Sequence, residues 1–271
     1  MFNRLLNSSP ILRRLHEWLR PEKFVSAWEG EHFGLFNKRT RELVGGFPVG
    51  PDDIVVDVGC GVGCASVFAS ECGATVFAVD IDPRALAAVE ERMRGRRPAR
   101  PFRTVLSDAN PLPLPDGLAS RIVAQEVLEH VDDPHQFLAE LVRIGRPNAL
   151  YLLSVPDPVA EAVQKKLAPE AYWRKPNHLR IFERDAFAQL VRDAGLSIEK
   201  QQPYSFFWSM WWFLFWSAER DVAAGTPATP VLAHWNKTWA ALMKTPNGAK
   251  IKQALDETMP KSQVIVARKA A

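Results

Sequence analysis

The sequence has little cysteine, little charge imbalance and no long apolar run. Three cysteines in 271 residues are odd in number and too few for a disulfide framework. Two of them, Cys60 and Cys64, lie in one glycine-containing turn and read as reduced small residues, neither a disulfide pair nor a metal clip. Lys and Arg number 34 and Asp and Glu 31, so the net charge of +3 provides no broad electrostatic footprint for nucleic acid. No stretch approaches the roughly 18 apolar residues of a membrane span. Arg13, Arg14, His16 and Glu17 interrupt the N-terminal apolar residues, so a secretory leader is not expected and a cytoplasmic location is. The remaining composition, 47% hydrophobic and 24% charged, is that of an ordinary globular chain with room for one large domain and a cap.

The most informative stretch runs from Asp53 to Gly63, D-I-V-V-D-V-G-C-G-V-G. Val55, Val56 and Val58 suit a parallel strand buried on both faces. Gly59, Gly61 and Gly63 let the backbone turn tightly and approach a ligand, and Cys64 to Cys72 continues as a helix of small residues. Strand, glycine turn and helix open a nucleotide-binding α/β domain. The dinucleotide fingerprint G-x-G-x-x-G is not met, because the third glycine comes one residue early. Asp57 precedes the turn, and a carboxylate there disfavours a pyrophosphate and favours a ligand carrying cationic groups.

Further buried strands are expected at Ala74–Asp80, Phe102–Leu106, Ser120–Ala124, Asn148–Val155 and Leu196–Lys200, with an antiparallel last strand at Gln263–Ala267. Helices are expected at Arg84–Met93, Pro134–Gly145 and Glu183–Ala194, the first capped by Asp82-Pro83. Asp80 stands about twenty residues past the glycine turn, where an acid accepts hydrogen bonds from ribose hydroxyls. Asp82 already fills the competing role of helix cap. The basic run from Arg92 to Arg103 falls at a helix C-terminus and reads as a solvated loop ahead of an anion site.

The D-V-G-C-G-V-G motif resembles the first motif of class I S-adenosylmethionine (SAM) dependent methyltransferases. Gln125-Glu126-Val127-Leu128-Glu129-His130-Val131 with Asp132-Asp133-Pro134 resembles the post-strand motif of the group that includes the ubiquinone-pathway O-methyltransferases, and His178-Leu179-Arg180-Ile181-Phe182 is also common there. The likeness covers roughly residues 50 to 200 and the final strand. It implies a doubly wound, seven-stranded Rossmann-like α/β fold that binds SAM through Asp57, the three glycines and Gln125. It further implies that Asp80 and Ile81 hold the ribose and one adenine face. Asp108 and Ala109 would belong to the adenine clamp; Asp108 as a plain turn former is the alternative.

The expected organisation is 1–46 N-terminal helices, 47–202 SAM-binding core, 203–260 a helical cap rich in tryptophan and 261–271 the final strand. Residues 1–20 suit an amphipathic helix lying on the domain or on a membrane surface, and a second helix is expected over much of Pro21–Val44. By the family likeness Trp28, Phe33, Phe36 and Arg39 would cover the cofactor. Phe206–Trp216 is apolar nearly all round, too short to cross a bilayer, and followed by a helix over Val231–Met243. It suits a cap packed on its own core, a lid over an apolar pocket, or a membrane or partner contact.

The expected function is methyl transfer from SAM to a small-molecule hydroxyl on an aromatic, glycan or lipid-linked acceptor. His130 and His178 are candidate bases; His130 could instead be structural. An N-P-P-Y-like tetrad is missing after the fourth strand, which disfavours base-amino methylation. The alternatives are a peripheral membrane enzyme acting on a lipid and a SAM-binding partner without turnover. Glu126, Glu129 and His130 form an E-x-x-E-H pattern that could ligate a divalent ion or simply solvate a helix start; no metal is assigned.

Overall fold

The computed structural model describes residues 36–173, 178–218 and 230–271. The predicted helix at 1–20, and the contacts assigned to Trp28 and Phe33, lie outside these residues. A small antiparallel hairpin comes first, β1 (Glu42–Val44) and β2 (Phe47–Pro48), turned at Gly45-Gly46. This corrects the expected helix over Pro21–Val44 at its C-terminal end. Leu43, Val44 and Phe47 are all buried against one face of the main sheet, and that burial selects an extended chain.

The main sheet contains β3 (Ile54–Val58), β4 (Thr75–Asp80), β5 (Phe102–Leu106), β6 (Ala119–Gln125), β7 (Gly145–Pro156), β8 (Leu196–Tyr204) and β9 (Ser262–Lys269). Their order is β5-β4-β3-β6-β7-β9-β8, with β9 antiparallel to both neighbours. Val55 and Val56 on β3 are fully buried, as a central strand covered by helices on both faces requires. The chain moves outward from β3 to β5, then returns to place β6 on the other side of β3. The carboxyl ends of β3 and β6 therefore lie side by side at the strand-order reversal, the place where open α/β sheets bind ligands.

The helices are α1 (Cys64–Glu71), α2 (Pro83–Met93), α3 (Pro134–Ile144), α4 (Pro158–Leu167), α5 (Arg184–Asp193), α6 (Phe206–Ala218), α7 (Pro230–Met243) and α8 (Gly248–Thr258). Three of them start with the same pair. Asp82, Asp133 and Asp157 each accept a backbone N–H of the first turn, and Pro83, Pro134 and Pro158 follow at the first helical position. Helix α4 and the short 3-10 turn Glu170–Trp173 were not anticipated, nor was α8.

Helices α6, α7 and α8 form an excursion between β8 and β9. Its stem is closed at the base, where the Lys261 N–H donates to the Ser205 carbonyl at 3.3 Å. Phe207, Trp211, Phe215, Trp216, Leu232 and Trp239 are buried together in their own cluster. Aromatic rings account for most of that cluster, in stacked and edge-on pairs such as Trp211–Phe215 at 5.5 Å and Phe207–Trp208 at 5.0 Å. The Trp-rich segment thus packs on a core of its own. No helix among the described residues is long and apolar enough to cross a membrane.

Candidate active site

The glycine turn sits between β3 and α1 and is tied to β4 from below. The N–H groups of Gly59 and Cys60 both donate to the Val79 carbonyl, at 2.8 and 2.9 Å. The three glycines, grouped together in the sequence reading, have different surroundings. A Cβ on Gly59 would come within 2.4 Å of the Val127 side chain, and one on Gly63 within 2.7 Å of Val89. Those two let neighbouring elements pack closely. Gly61, with φ +52°, faces open space within 4 Å, so its bareness leaves room for something other than protein.

Asp80 ends β4 beside this opening. Its Oδ2 accepts from the Gly61 N–H and its Oδ1 from the Asp82 N–H, both at 2.8 Å. Burial pushes its carboxyl up, and those backbone donors pull it back toward the ionised form. A carboxylate has about four lone-pair directions, so two remain for a diol. Ile81 next to it is 41% exposed, and Leu106, the register partner of Asp80, is 60% exposed. Two large apolar side chains standing in water at neighbouring strand ends make a surface suited to a flat base. Beyond β5, the Ala109 N–H donates to Ser107 Oγ and the Asn110 N–H to Asp108 Oδ1, each at 3.0 Å. Ala109 is buried in a left-handed conformation, φ +60°. Asp108 therefore does form a turn; its side chain is exposed, and the neighbouring Ser107 N–H donates to the Asp80 carbonyl at 3.0 Å.

Asp57 lies deeper, 4% exposed, and its Oδ2 accepts the Ser66 hydroxyl at 2.5 Å. Burial raises its pKa to about 6, opposed by the hydrogen bonds of Ser66 and reinforced by Asp80. The carboxyl points beneath the turn toward α1, so its influence on a ligand is through the field of a buried charge.

On the other side of the reversal, β6 ends at Gln125, half-buried and paired with Ser154. Glu126 follows with φ +57°, a conformation uncommon for a residue with a side chain. Its Oε1 accepts the Ser154 hydroxyl at 2.9 Å and its Oε2 accepts from Lys261 Nζ at 3.0 Å. Glu126 is thereby engaged by Ser154 and Lys261, and among the described residues the ligand atoms that gather around Glu129 and His130 do not include its own. Glu129 is 1% exposed and neither carboxylate oxygen has a hydrogen-bond partner; burial, and then Glu126, push its carboxyl well up.

His130 and His178, far apart in sequence, come together with ring centroids 5.1 Å apart. The Leu179 N–H donates to the Glu129 carbonyl at 2.9 Å and so pins the His178 segment to the loop after β6. His178 is buried, whereas the His130 side chain is 37% exposed. Around His178 is a set of groups missed in the sequence. Glu161 Oε2 lies 2.8 Å from His178 Nδ1, and the Tyr172 hydroxyl 3.2 Å from Nε2. Burial raises the Glu161 carboxyl, but the His178 hydrogen bond and the Lys261 ammonium more than offset it, leaving the net pKa lowered. Burial, and then the charges of Glu161 and Glu129, push the Tyr172 phenol well up. Glu129, His130 and His178 each offer a ligand atom within 4.8 Å of the others. Both ring nitrogens of His178 are already engaged, however, so this trio is not poised to ligate and no metal is assigned to it.

That Glu161 was missed is explained by the burial pattern of α4. Its apolar Val159 and Leu167 are exposed while Glu161 and Gln164, three residues apart, are fully buried. That is an inverted amphipathic helix, and inversion marks polar groups with an internal task.

Together, the side-chain-free Gly61, a buried acid with spare lone pairs, two exposed apolar side chains and a polar rim fit an adenosyl group. Comparison with known proteins agrees. Residues 56–153 match the family described as the methyltransferase domain. The chain is 30% identical over 168 residues to methyltransferase GfsG of Streptomyces halstedii, covering 59% of each chain. It is 30% identical over 160 residues to the protein described as "Probable tocopherol O-methyltransferase" of Oryza sativa subsp. japonica, covering 54% of this chain and 41% of that one. Geranyl diphosphate C-methyltransferase from Streptomyces coelicolor A3(2), solved with S-adenosyl-L-homocysteine, superposes with a TM-score of 0.56 at 16% identity over 89% of this chain and 76% of that one. The core is a class I SAM-dependent methyltransferase domain. The chain spans roughly 40 to 60% of the length of these and other curated relatives.

Proposed function

We propose that this chain transfers the methyl group of SAM to a hydroxyl of a small-molecule acceptor, with His178 as the base. The observation that carries the reading is the Glu161 carboxylate 2.8 Å from His178 Nδ1. A carboxylate is an acceptor only, so it holds the proton on Nδ1 and leaves Nε2 with a lone pair.

The residues that hold the cofactor are Asp80 and Ile81 for the ribose and adenine, Asp108 and Ala109 at the adenine rim, and Gln125 with the glycine turn near the amino-acid end. Asp57 contributes a negative charge under a ligand that carries an ammonium and a sulfonium. When bound, SAM supplies an already activated methyl, so no covalent nucleophile is needed from the protein. What the protein supplies is position and proton removal. Holding an acceptor in line is worth several kcal/mol, and a placed base about 10²–10⁴-fold in rate. Tyr172 packs against His178 and against the aromatic groups Trp173, Trp212 and Trp216. The acceptor O–H bond breaks as its proton passes to the Tyr172 oxygen, while the Tyr172 proton passes to His178 Nε2. Glu161 stabilises the imidazolium that results. The surrounding indoles favour an aromatic or other largely apolar acceptor. His130, half-exposed at the edge of His178, lines the approach.

The test measures release of S-adenosylhomocysteine with a panel of phenols, sugars and amines. Turnover on a hydroxyl acceptor that falls about 10²-fold or more in His178→Gln supports the reading. Turnover confined to amines, or unaffected by His178→Gln, overturns it. Calorimetric titration with SAM and S-adenosylhomocysteine tests the cofactor separately.

A further inference from the structure

The base does not end its hydrogen-bonded chain at Glu161. Gln164 Nε2 donates to Glu161 Oε1 at 2.8 Å, and the Trp216 indole N–H donates to Gln164 Oε1 at 3.0 Å. Trp216 belongs to α6 in the cap, Gln164 and Glu161 to α4, and Tyr172 and His178 to the segment that follows. All of these side chains are buried.

An indole N–H can only donate. It therefore fixes which end of the Gln164 amide faces it, the carbonyl, and so turns the amide NH₂ toward Glu161. Glu161 can only accept, from Gln164 on one oxygen and from His178 Nδ1 on the other. His178 is left with Nε2 unprotonated, and Tyr172 must donate to it. The direction of each link is fixed, and the last donor lies in the Trp-rich cap. We propose that Glu161 is a positioning residue that sets the tautomer of His178, and that Trp216, by orienting Gln164, steadies the Glu161 carboxylate against Nδ1, so that the cap, besides packing on its own core, braces the base. The proposal rests on the reading of His178 as the base, but its structural content can be read without substrate.

The decisive variant is Glu161→Gln. Gln164 still presents NH₂, and Lys261 Nζ lies 3.9 Å from the same Glu161 oxygen. A glutamine at 161 would therefore turn its carbonyl toward those donors and its own NH₂ toward His178 Nδ1. That nitrogen must then accept, and the proton moves to Nε2. The tautomer is inverted by a change of two atoms' chemistry at constant shape.

Long-range ¹H–¹⁵N correlation spectra of ¹⁵N-histidine-labelled full-length protein read the tautomer directly, with His178→Gln identifying the resonances. The parent is expected to show a protonated Nδ1 and a bare Nε2, Glu161→Gln the reverse, and Trp216→Phe the parent tautomer with a shifted Nδ1 proton resonance, because Gln164 is then free to turn over and Glu161 Oε1 loses its donor. Trp216→Phe retains an aromatic ring in the cap cluster and serves where Glu161→Gln does not fold, with thermal melting as the check on both. In turnover, Glu161→Gln is expected to lower kcat by about 10²-fold with the SAM KM unchanged, and Trp216→Phe by less. A parent-like tautomer in folded Glu161→Gln, or an unshifted Nδ1 proton in folded Trp216→Phe, overturns the proposal. If the tautomers move as expected while His178→Gln turns over normally, the base assignment fails and the relay stands. If His178→Gln is inactive but the tautomers do not move, the relay fails and the base stands.

Discussion

The Gly61 N–H and the Asp80 carboxylate are joined by a 2.8 Å hydrogen bond that spans the ends of two adjacent strands, so the acid and the open glycine face one ligand as a unit. Asp80→Asn breaks this unit in a defined way. Both Asp80 oxygens accept backbone N–H groups, and an amide NH₂ in place of either sets donor against donor. Charged hydrogen bonds of this kind are worth about 1.5–3 kcal/mol, so SAM and S-adenosylhomocysteine affinity should fall about 10- to 100-fold by calorimetry. Unchanged affinity for both would remove Asp80 from the ribose.

Gly61 and Gly63 should fail differently. An alanine at Gly61 meets no protein atom within 4 Å and incurs mainly the left-handed backbone cost, about 1–2 kcal/mol. An alanine at Gly63 also drives its methyl to 2.7 Å from Val89, adding overpacking of about 1–3 kcal/mol. Gly61→Ala should thus fold with a small drop in Tm and lose cofactor binding, whereas Gly63→Ala should lose more stability. Equal melting losses, with binding retained by Gly61→Ala, would count against a ligand at Gly61.

Asp57 gives a pH signature. Its folded pKa is raised to about 6, so between about 4 and 6 the folded state holds the proton more tightly than the unfolded one. Its contribution is fully present below about 4 and is lost as pH rises through about 6. Asp57→Asn should flatten that fall in denaturant-derived stability. Cofactor binding should run the other way, strengthening as Asp57 ionises between pH 5 and about 7 because the ligand is cationic. The check is the SAM dissociation constant across that range in both proteins. The same pH slope in Asp57→Asn would show that another group is responsible.

The cap offers a fourth measurement. Trp211 is 2% exposed and packs on Trp208, Trp212 and Phe215. Trp211→Ala should destabilise by about 3–5 kcal/mol in chemical denaturation. If Trp211 served a membrane instead, the loss would be small, and flotation with anionic liposomes would fall in the variant.

What the sequence determined by itself was the order and chemistry of the core. The glycine turn, the acid at the end of β4 and the Asp-Pro starts of α2 and α3 are local signals, written in adjacent residues whose backbone preferences and hydrogen-bonding capacities do not depend on distant parts of the chain. Asp157-Pro158 repeats the same helix start, although α4 was not anticipated from it. Only the tertiary structure decided the rest. It separated Gly61 from Gly59 and Gly63, paired Glu126 with Lys261 from the far end of the chain, and gave Glu129–His130 the neighbour His178. It also placed Glu161, Gln164 and Trp216 behind that histidine. The physical reason is that a buried polar group acquires its role from the partner that satisfies it, and those partners come from elements up to 135 residues apart.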